Sequence, residues 1–314
     1  MISFRYHVVS LVAVMLALAV GIALGGGPLQ RDSSGSEDGD GSQSLVAAQA
    51  EIAHLEEGTA FADAYAAATA DGLLAKAVLD RAVTLVTLPG ADDADVTRLT
   101  EMIDRAGGTV TLRAAVGERL LDVGNRQLVS ELASQMASSS GNDVAGTGEA
   151  TGYDQMALLL ARALTSTKTQ GEPIDDVGRS VLASLETADL LTVTGEGGQR
   201  GSLVLLVAGD PYGGADEREG AGSILSTTVS VLDERSDGVV LAGPVSSSAE
   251  DGLVGTVRAD PTTAGAVSTV DAVERAAGAV VAVLTLEAEA AGRSGHYGTT
   301  AAGDGALPGS TEAD

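Results

Sequence analysis

The chain has 314 residues, enough for one large domain or two small ones with appendages. It carries 44 Asp and Glu against 18 Lys and Arg, a net charge of −26, which argues against nucleic-acid binding because phosphate backbones need a Lys/Arg footprint. There is no cysteine, the three histidines (His7, His54, His296) are far apart in sequence, and 5 Tyr and 2 Phe are the only aromatics; this excludes disulfides and thiolate or iron–sulfur chemistry, and speaks against a Ser–His–Asp triad, a histidine metal cage and the aromatic girdles of a single-chain porin.

Val8 to Leu24 is an uncharged apolar run, continued by Gly25 to Gly27 and stopped by Pro28. At 1.5 Å per residue a helix here spans roughly 25–30 Å, the thickness of a hydrocarbon core. Arg5 lies on its N-terminal side and an acidic segment follows, so the positive-inside rule puts the N-terminus in the cytoplasm and the rest outside. Phe4 and Tyr6 fall at headgroup level. Ala17-Leu18-Ala19 offers a signal-peptidase-like site, but the apolar run continues past it and the n-region holds one Arg. A retained anchor over residues 1–29 is the expectation.

Residues 30–44 (QRDSSGSEDGDGSQS) read as a flexible linker. A calcium loop counted from Asp38 fails, with Gln43 at its sixth position and Gln49 at its twelfth. Residues 45–80 read as a helical stalk. A heptad frame places Leu45, Ala48, Ile52, Leu55, Thr59, Ala62, Ala66, Thr69 and Leu73 at a and d, a short alanine-rich coiled coil or helical hairpin. Gly58 and two Thr weaken that seam. Phe61 and Tyr65 share a face at i, i+4, a packing pair.

From Arg81 to residue 295 strands alternate with helices. VTLVTL (Val83 to Leu88), a helix carrying Val96, Leu99 and Ile103, and TVTLRAAV (Thr109 to Val116) make a βαβ unit. Ser138 to Gly152 reads as a loop. Helices are expected at Tyr153 to Thr167, Val177 to Leu185, Ser223 to Asp233 and near Leu253. Strands are expected at Leu190 to Thr194, Leu203 to Ala208, Val239 to Ala242 and Val267 to Val270. A last helix, Ala272 to Ala291, sets Val273, Ala277, Val280, Val281, Leu284 and Ala288 on the face that covers the sheet. Residues 296–314 read as a disordered tail. The fold class is α/β: an N-terminal transmembrane helix and short coiled-coil stalk, followed by a mostly parallel-sheet domain.

Two strand ends echo each other, LPGADD (Leu88 to Asp93) and VAGDPYGG (Val207 to Gly214), with LAGPV (Leu241 to Val245) a looser third copy. In open α/β sheets ligands bind beyond the carboxyl ends of strands, at the switch point. Asp92, Asp93 and Asp210 are therefore candidates to meet around a cation or polar ligand. Ordinary turn and N-cap chemistry explains the same residues. GEGGQRG (Gly195 to Gly201) lacks dinucleotide spacing and no P-loop is present, so no cofactor is implied. Nothing points to an enzyme.

ISFRYHVVSLVAVMLALAVGIALGGGPL, LPGADDADV, LLDVGNRQLVSELA, AGDPYG, STVDAVERAAGAVVAVL and GRSGHYG together resemble the actinobacterial MctB family. The resemblance runs almost the length of the chain and implies copper transport or tolerance and placement in the outer membrane, with copper entering by resemblance alone. The segment around Ser33 to Ala70 is shorter and poorer in Leu than the family pattern. SteB-like proteins of the family imply a second role, a scaffold acting with a SteA-like partner in cell separation and control of peptidoglycan hydrolysis. The five methionines, Met1, Met15, Met102, Met136 and Met156, form no Met-x-x-Met cluster for copper(I). A single apolar helix encloses no pore, so a channel requires a homo-oligomer through the anchor or stalk.

Overall fold

The computed structural model describes residues 38–140, 144, 146, 150–195, 198–300 and 303–309. Arg5, the run Val8 to Leu24 and the linker up to residue 37 lie outside the described residues. Among the described residues no helix is long and apolar enough to cross a membrane.

The chain divides into two units, Met1–Ala60 and Phe61–Asp314. In the first, the described residues belong to one helix, α1 (Asp38–Leu73), which starts inside the segment expected as linker. Here Leu45, Val46, Ile52 and Leu55 stand between 55 and 66% exposed. In the second unit the end of α1 and the turns after it join the core: Ala70, Leu74 and Val78 are fully buried.

Among the described residues nine strands follow: β1 (Ala82–Thr87), β2 (Thr109–Val116), β3 (Glu172–Pro173), β4 (Leu191–Thr194), β5 (Gln199–Arg200), β6 (Leu203–Val207), β7 (Val239–Ala242), β8 (Ser268–Val270) and β9 (His296–Tyr297). Seven form one sheet in the order β4-β2-β1-β6-β7-β8-β9, and β3 pairs with β5 in a separate ribbon. Every pairing in the large sheet is parallel except β2 with the edge strand β4. The central strands are continuous apolar runs because both faces are covered. In β6, Val204 and Leu206 enter one core cluster while Leu203, Leu205 and Val207 enter the other.

The helices are α2 (Asp93–Arg105), α3 (Glu118–Leu121), α4 (Arg126–Ser140), α5 (Gly152–Leu164), α6 (Asp176–Thr187), α7 (Ala215–Asp233), α8 (Leu253–Ala259), α9 (Pro261–Ala264) and α10 (Ala276–Ala290). One face of the sheet packs on α4 to α8; the other packs on α2, α10 and the end of α1. Cap chemistry sets several starts: Asp175 accepts from the Gly178 amide at 2.8 Å for α6, and Asp260 precedes Pro261 at the first turn of α9. α10 starts with no cap of its own, and its first amide, Ala276, donates instead to Asp63 of α1 at 3.2 Å.

Two expectations change here. Of the face expected for α10, Val273, Val280 and Ala288 are buried, but Ala277 is exposed and Val281 and Leu284 are half-buried, while Ala279, Ala282, Val283 and Leu286 are at 0% exposure. The segment from His296, expected as a disordered tail, supplies β9: Thr269 pairs with His296 and Val270 with Tyr297. What ties it down is a buried ion pair between Arg258 and Asp271, 6 and 0% exposed and 3.0 Å apart. Arg258 also donates to the Tyr297 carbonyl at 2.9 Å and to the Thr300 hydroxyl at 2.6 Å. Asp271 accepts from the Thr299 amide at 2.6 Å. Burial pushes the Asp271 carboxyl up, but hydrogen bonds from Thr299, Arg258 and Thr300 outweigh it and hold it below the ordinary value.

Candidate functional site: an acidic cleft at the switch point

Chain order reverses between β1 and β6: from β1 the sheet grows outward to β2, and from β6 it grows the other way to β9. The segments leaving their carboxyl ends are the two echoing motifs, and their glycines explain the echo. A Cβ on Gly209 would lie 1.9 Å from the Gly90 carbonyl carbon, so the two loops touch backbone to backbone. Gly90 itself has φ +81°, a left-handed turn that favours glycine. Leu88 N donates to Val207 O at 2.9 Å, which locks the loops together at their base.

Beyond this crossing lies a cleft of about 370 Å³, walled by Gly90, Asp92, Asp95, Gly209 and Asp210, with Pro244, Val245, Ser246 and Glu274 opposite. Asp92 and Asp210 both line it, and the third echo supplies Pro244 and Val245. Asp93 lies outside the wall, exposed in the first turn of α2. Asp92 is the N-cap of α2, its carboxylate accepting from Ala94 N at 2.7 Å. Asp210 accepts from the Ser246 hydroxyl. Asp95 and Glu274 were not expected. Asp95 stands three residues after Asp92, one helical turn on, a spacing legible in the sequence. Its carboxylate pairs with Arg98 at 2.6 Å, and Arg98 also donates to Val273 O at 3.0 Å. Glu274 accepts weakly from Val245 N at 3.4 Å, and its second oxygen is buried with no protein partner. It arrives from the loop after β8, which no local signal connects to this cleft.

Of the four carboxylates Asp95 is paired with Arg98; Asp92, Asp210 and Glu274 have no Lys, Arg or His beside them in the lining, so the cleft attracts cations and repels anions. A nucleotide phosphate would need the free amides of a helix N-terminus, and here Asp92 already fills that position. Among the described residues no group of three or more His, Cys, Asp or Glu is gathered to hold a metal ion. Met102, Met136 and Met156 are buried in the two core clusters. His296 is half-buried against Thr269, 2.9 Å from its hydroxyl; burial first, then the Arg258 charge, push its pKa below the usual histidine value.

Fold and cleft together define a doubly wound α/β domain with an acidic mouth at its switch point. The chain belongs to the family described as "Copper transport outer membrane protein, MctB", which matches residues 1–308. It is similar to the proteins named Copper transporter MctB from Mycobacterium tuberculosis (strain H37Rv) and Mycobacterium bovis, each 27% identical over 315 residues, 98% of this chain and 98% of theirs. The Mycobacterium leprae protein of that name is 26% identical over 310 residues, 95% of this chain and 96% of its own.

Proposed function

We propose that this chain is a membrane-anchored envelope protein of copper homeostasis, lowering cellular copper by efflux or tolerance. The observation that carries the reading is the family match over residues 1–308, which takes in the N-terminal apolar run together with the α/β domain. The family's description supplies copper transport and the outer membrane, and the relatives' name supplies copper transport again. In this reading Val8 to Leu24 is a retained single-pass anchor with Arg5 on the cytoplasmic side. α1 is a stalk through which copies associate, supported by exposed Leu45, Ile52 and Leu55 at heptad positions. In this reading the domain acts by binding, in keeping with a family described by transport. Asp92, Asp210 and Glu274 attract a partner's basic side chain. A deletion strain grown on a copper gradient tests the role. Heightened copper sensitivity, restored by the full chain, is expected; unaltered growth on copper sinks it.

A second reading has one observation in its favour. The described methionines sit in the core and the described residues gather no metal-ligand group, so they present an interaction surface more readily than a copper site. On that reading the chain is a SteB-like scaffold that acts with a SteA-like partner in cell separation. The same strain then grows as unseparated chains and keeps ordinary copper tolerance.

A further inference from the structure

In the second unit α1 lies on the domain by one face. Ala70 and, just past the helix, Leu74 are at 0% exposure, and Asp63 on the same face holds Arg275 at 3.1 Å and the Ala276 amide at 3.2 Å. The opposite face carries Phe61, Tyr65, Ala68 and Gly72, spaced four, three and four residues apart, the spacing of a coiled-coil seam. Phe61 and Tyr65 stand 74 and 64% exposed, so the aromatic pair packs on nothing in the described chain.

Gly72 has no internal reason to be glycine. A glycine inside a helix is costly relative to alanine, and a Cβ at this one would meet nothing within 4 Å. What the bare backbone offers is room for a second helix to come close. The positions that flank the seam are Ala62, Ala64 and Thr69, all uncharged, and Asp71, which is already paired with Arg105 at 2.7 Å. On a chain of net charge −26, this is a surface where another copy meets no uncompensated like charge. A foreign helix chosen by charge would call for charged flanks complementary to its own.

We propose that this face pairs with the same face of a second copy, the two α1 helices running parallel and in register so that Phe61 and Tyr65 meet their counterparts. The inference rests on the anchored stalk proposed above and names its contact face, which by helical spacing is not the side that carries Leu45, Ile52 and Leu55. Anchors in one membrane set the parallel direction. Four aromatic side chains bring an area of order 600 Å², about half of what a stable interface buries. Pairing is therefore weak between free chains. Two anchors in one bilayer sustain it by holding the helices at a roughly millimolar effective concentration.

The chain has no cysteine, so a single introduced one reports on each face. Full chains carrying Ala68→Cys, Leu55→Cys or Ala60→Cys are reconstituted in phosphatidylcholine vesicles and oxidised with diamide, and the covalent dimer is measured. At least fivefold more dimer from Ala68→Cys than from Ala60→Cys is expected. Adding Phe61→Ala and Tyr65→Ala to the Ala68→Cys chain removes that excess and leaves the thermal midpoint level. Cross-linking through Leu55→Cys alone keeps the stalk as a contact between copies and overturns this face. An Ala68→Cys yield no higher than that of Ala60→Cys, or one that survives loss of both aromatics, overturns it as well. Flotation of the vesicles reads the anchor separately: if the chain stays in solution the tether fails, and the face then stands or falls on the same Ala68→Cys excess at millimolar chain.

Discussion

Gly209 and Glu289 show how single residues shape this molecule. Gly209 is where the β6 loop passes against the β1 loop, and a methyl group there would overlap the Gly90 carbonyl carbon at 1.9 Å. Gly209→Ala therefore lowers stability by about 3 kcal/mol, the upper range for overpacking, as read from urea denaturation. An unchanged midpoint would mean that the two loops yield freely. Glu289 is 4% exposed on α10, accepting from Ser268 N at 2.8 Å. Burial above all, and then the charge of Asp233, push its pKa from the ordinary 4.5 up to about 7 against the opposing Ser268 hydrogen bond. Between those values the folded chain keeps a proton that the unfolded chain has released. Stability is therefore full below the lower value, falls as pH rises through the window by about 3 kcal/mol, and is level above it. Glu289→Gln keeps an acceptor for Ser268, removes that slope, and makes the chain more stable than the parent at pH 8. Parallel stability–pH curves for the two proteins would contradict this.

At the scale of elements, α10 depends on a neighbour for its start. Its first amide and Arg275 both bind Asp63 on α1, at 3.2 and 3.1 Å. Asp63→Ala removes an N-cap supplied from another helix and costs about 1 kcal/mol, measurable as a lowered melting temperature; an unchanged melting temperature would show that the cap is idle. The central strands were legible in the sequence because LVLLV and VVLA are short apolar runs bounded by turn residues. The strand Thr109–Val116 and the strand Val239–Ala242 fall where the sequence puts them. The face of α10 was not legible: nearly every residue from Ala276 to Leu286 is apolar, so periodicity selects no side. α4 was missed because its first half is polar and its end, ASSS, resembles a loop. The start of α7 was hidden by Gly220 and Gly222, residues that signal a turn; Gly222 serves the close crossing with α8, and Gly220 lies against Val123. The two-residue strand β9 has no periodicity at all; a salt bridge from Arg258 and pairing with β8 create it.

For the whole molecule, half of the acidic cleft was visible from the strand-end echoes, since Asp92 and Asp210 lie beside glycines that topology brings together. Asp93 stayed outside because one residue along a helix turns a side chain by about 100°. Glu274 needed the order of the sheet, which places the loop after β8 within reach of β7 and β6. The remaining question is what an acidic domain does in a family named for copper. Cellular copper content, measured by mass spectrometry in a deletion strain and in strains restored with the full chain or with Asp210→Asn/Glu274→Gln, tests this most directly. The account predicts raised copper in the deletion, return to the parental level with the full chain, and incomplete return with the cleft variant. Parental copper content in the deletion strain would contradict it.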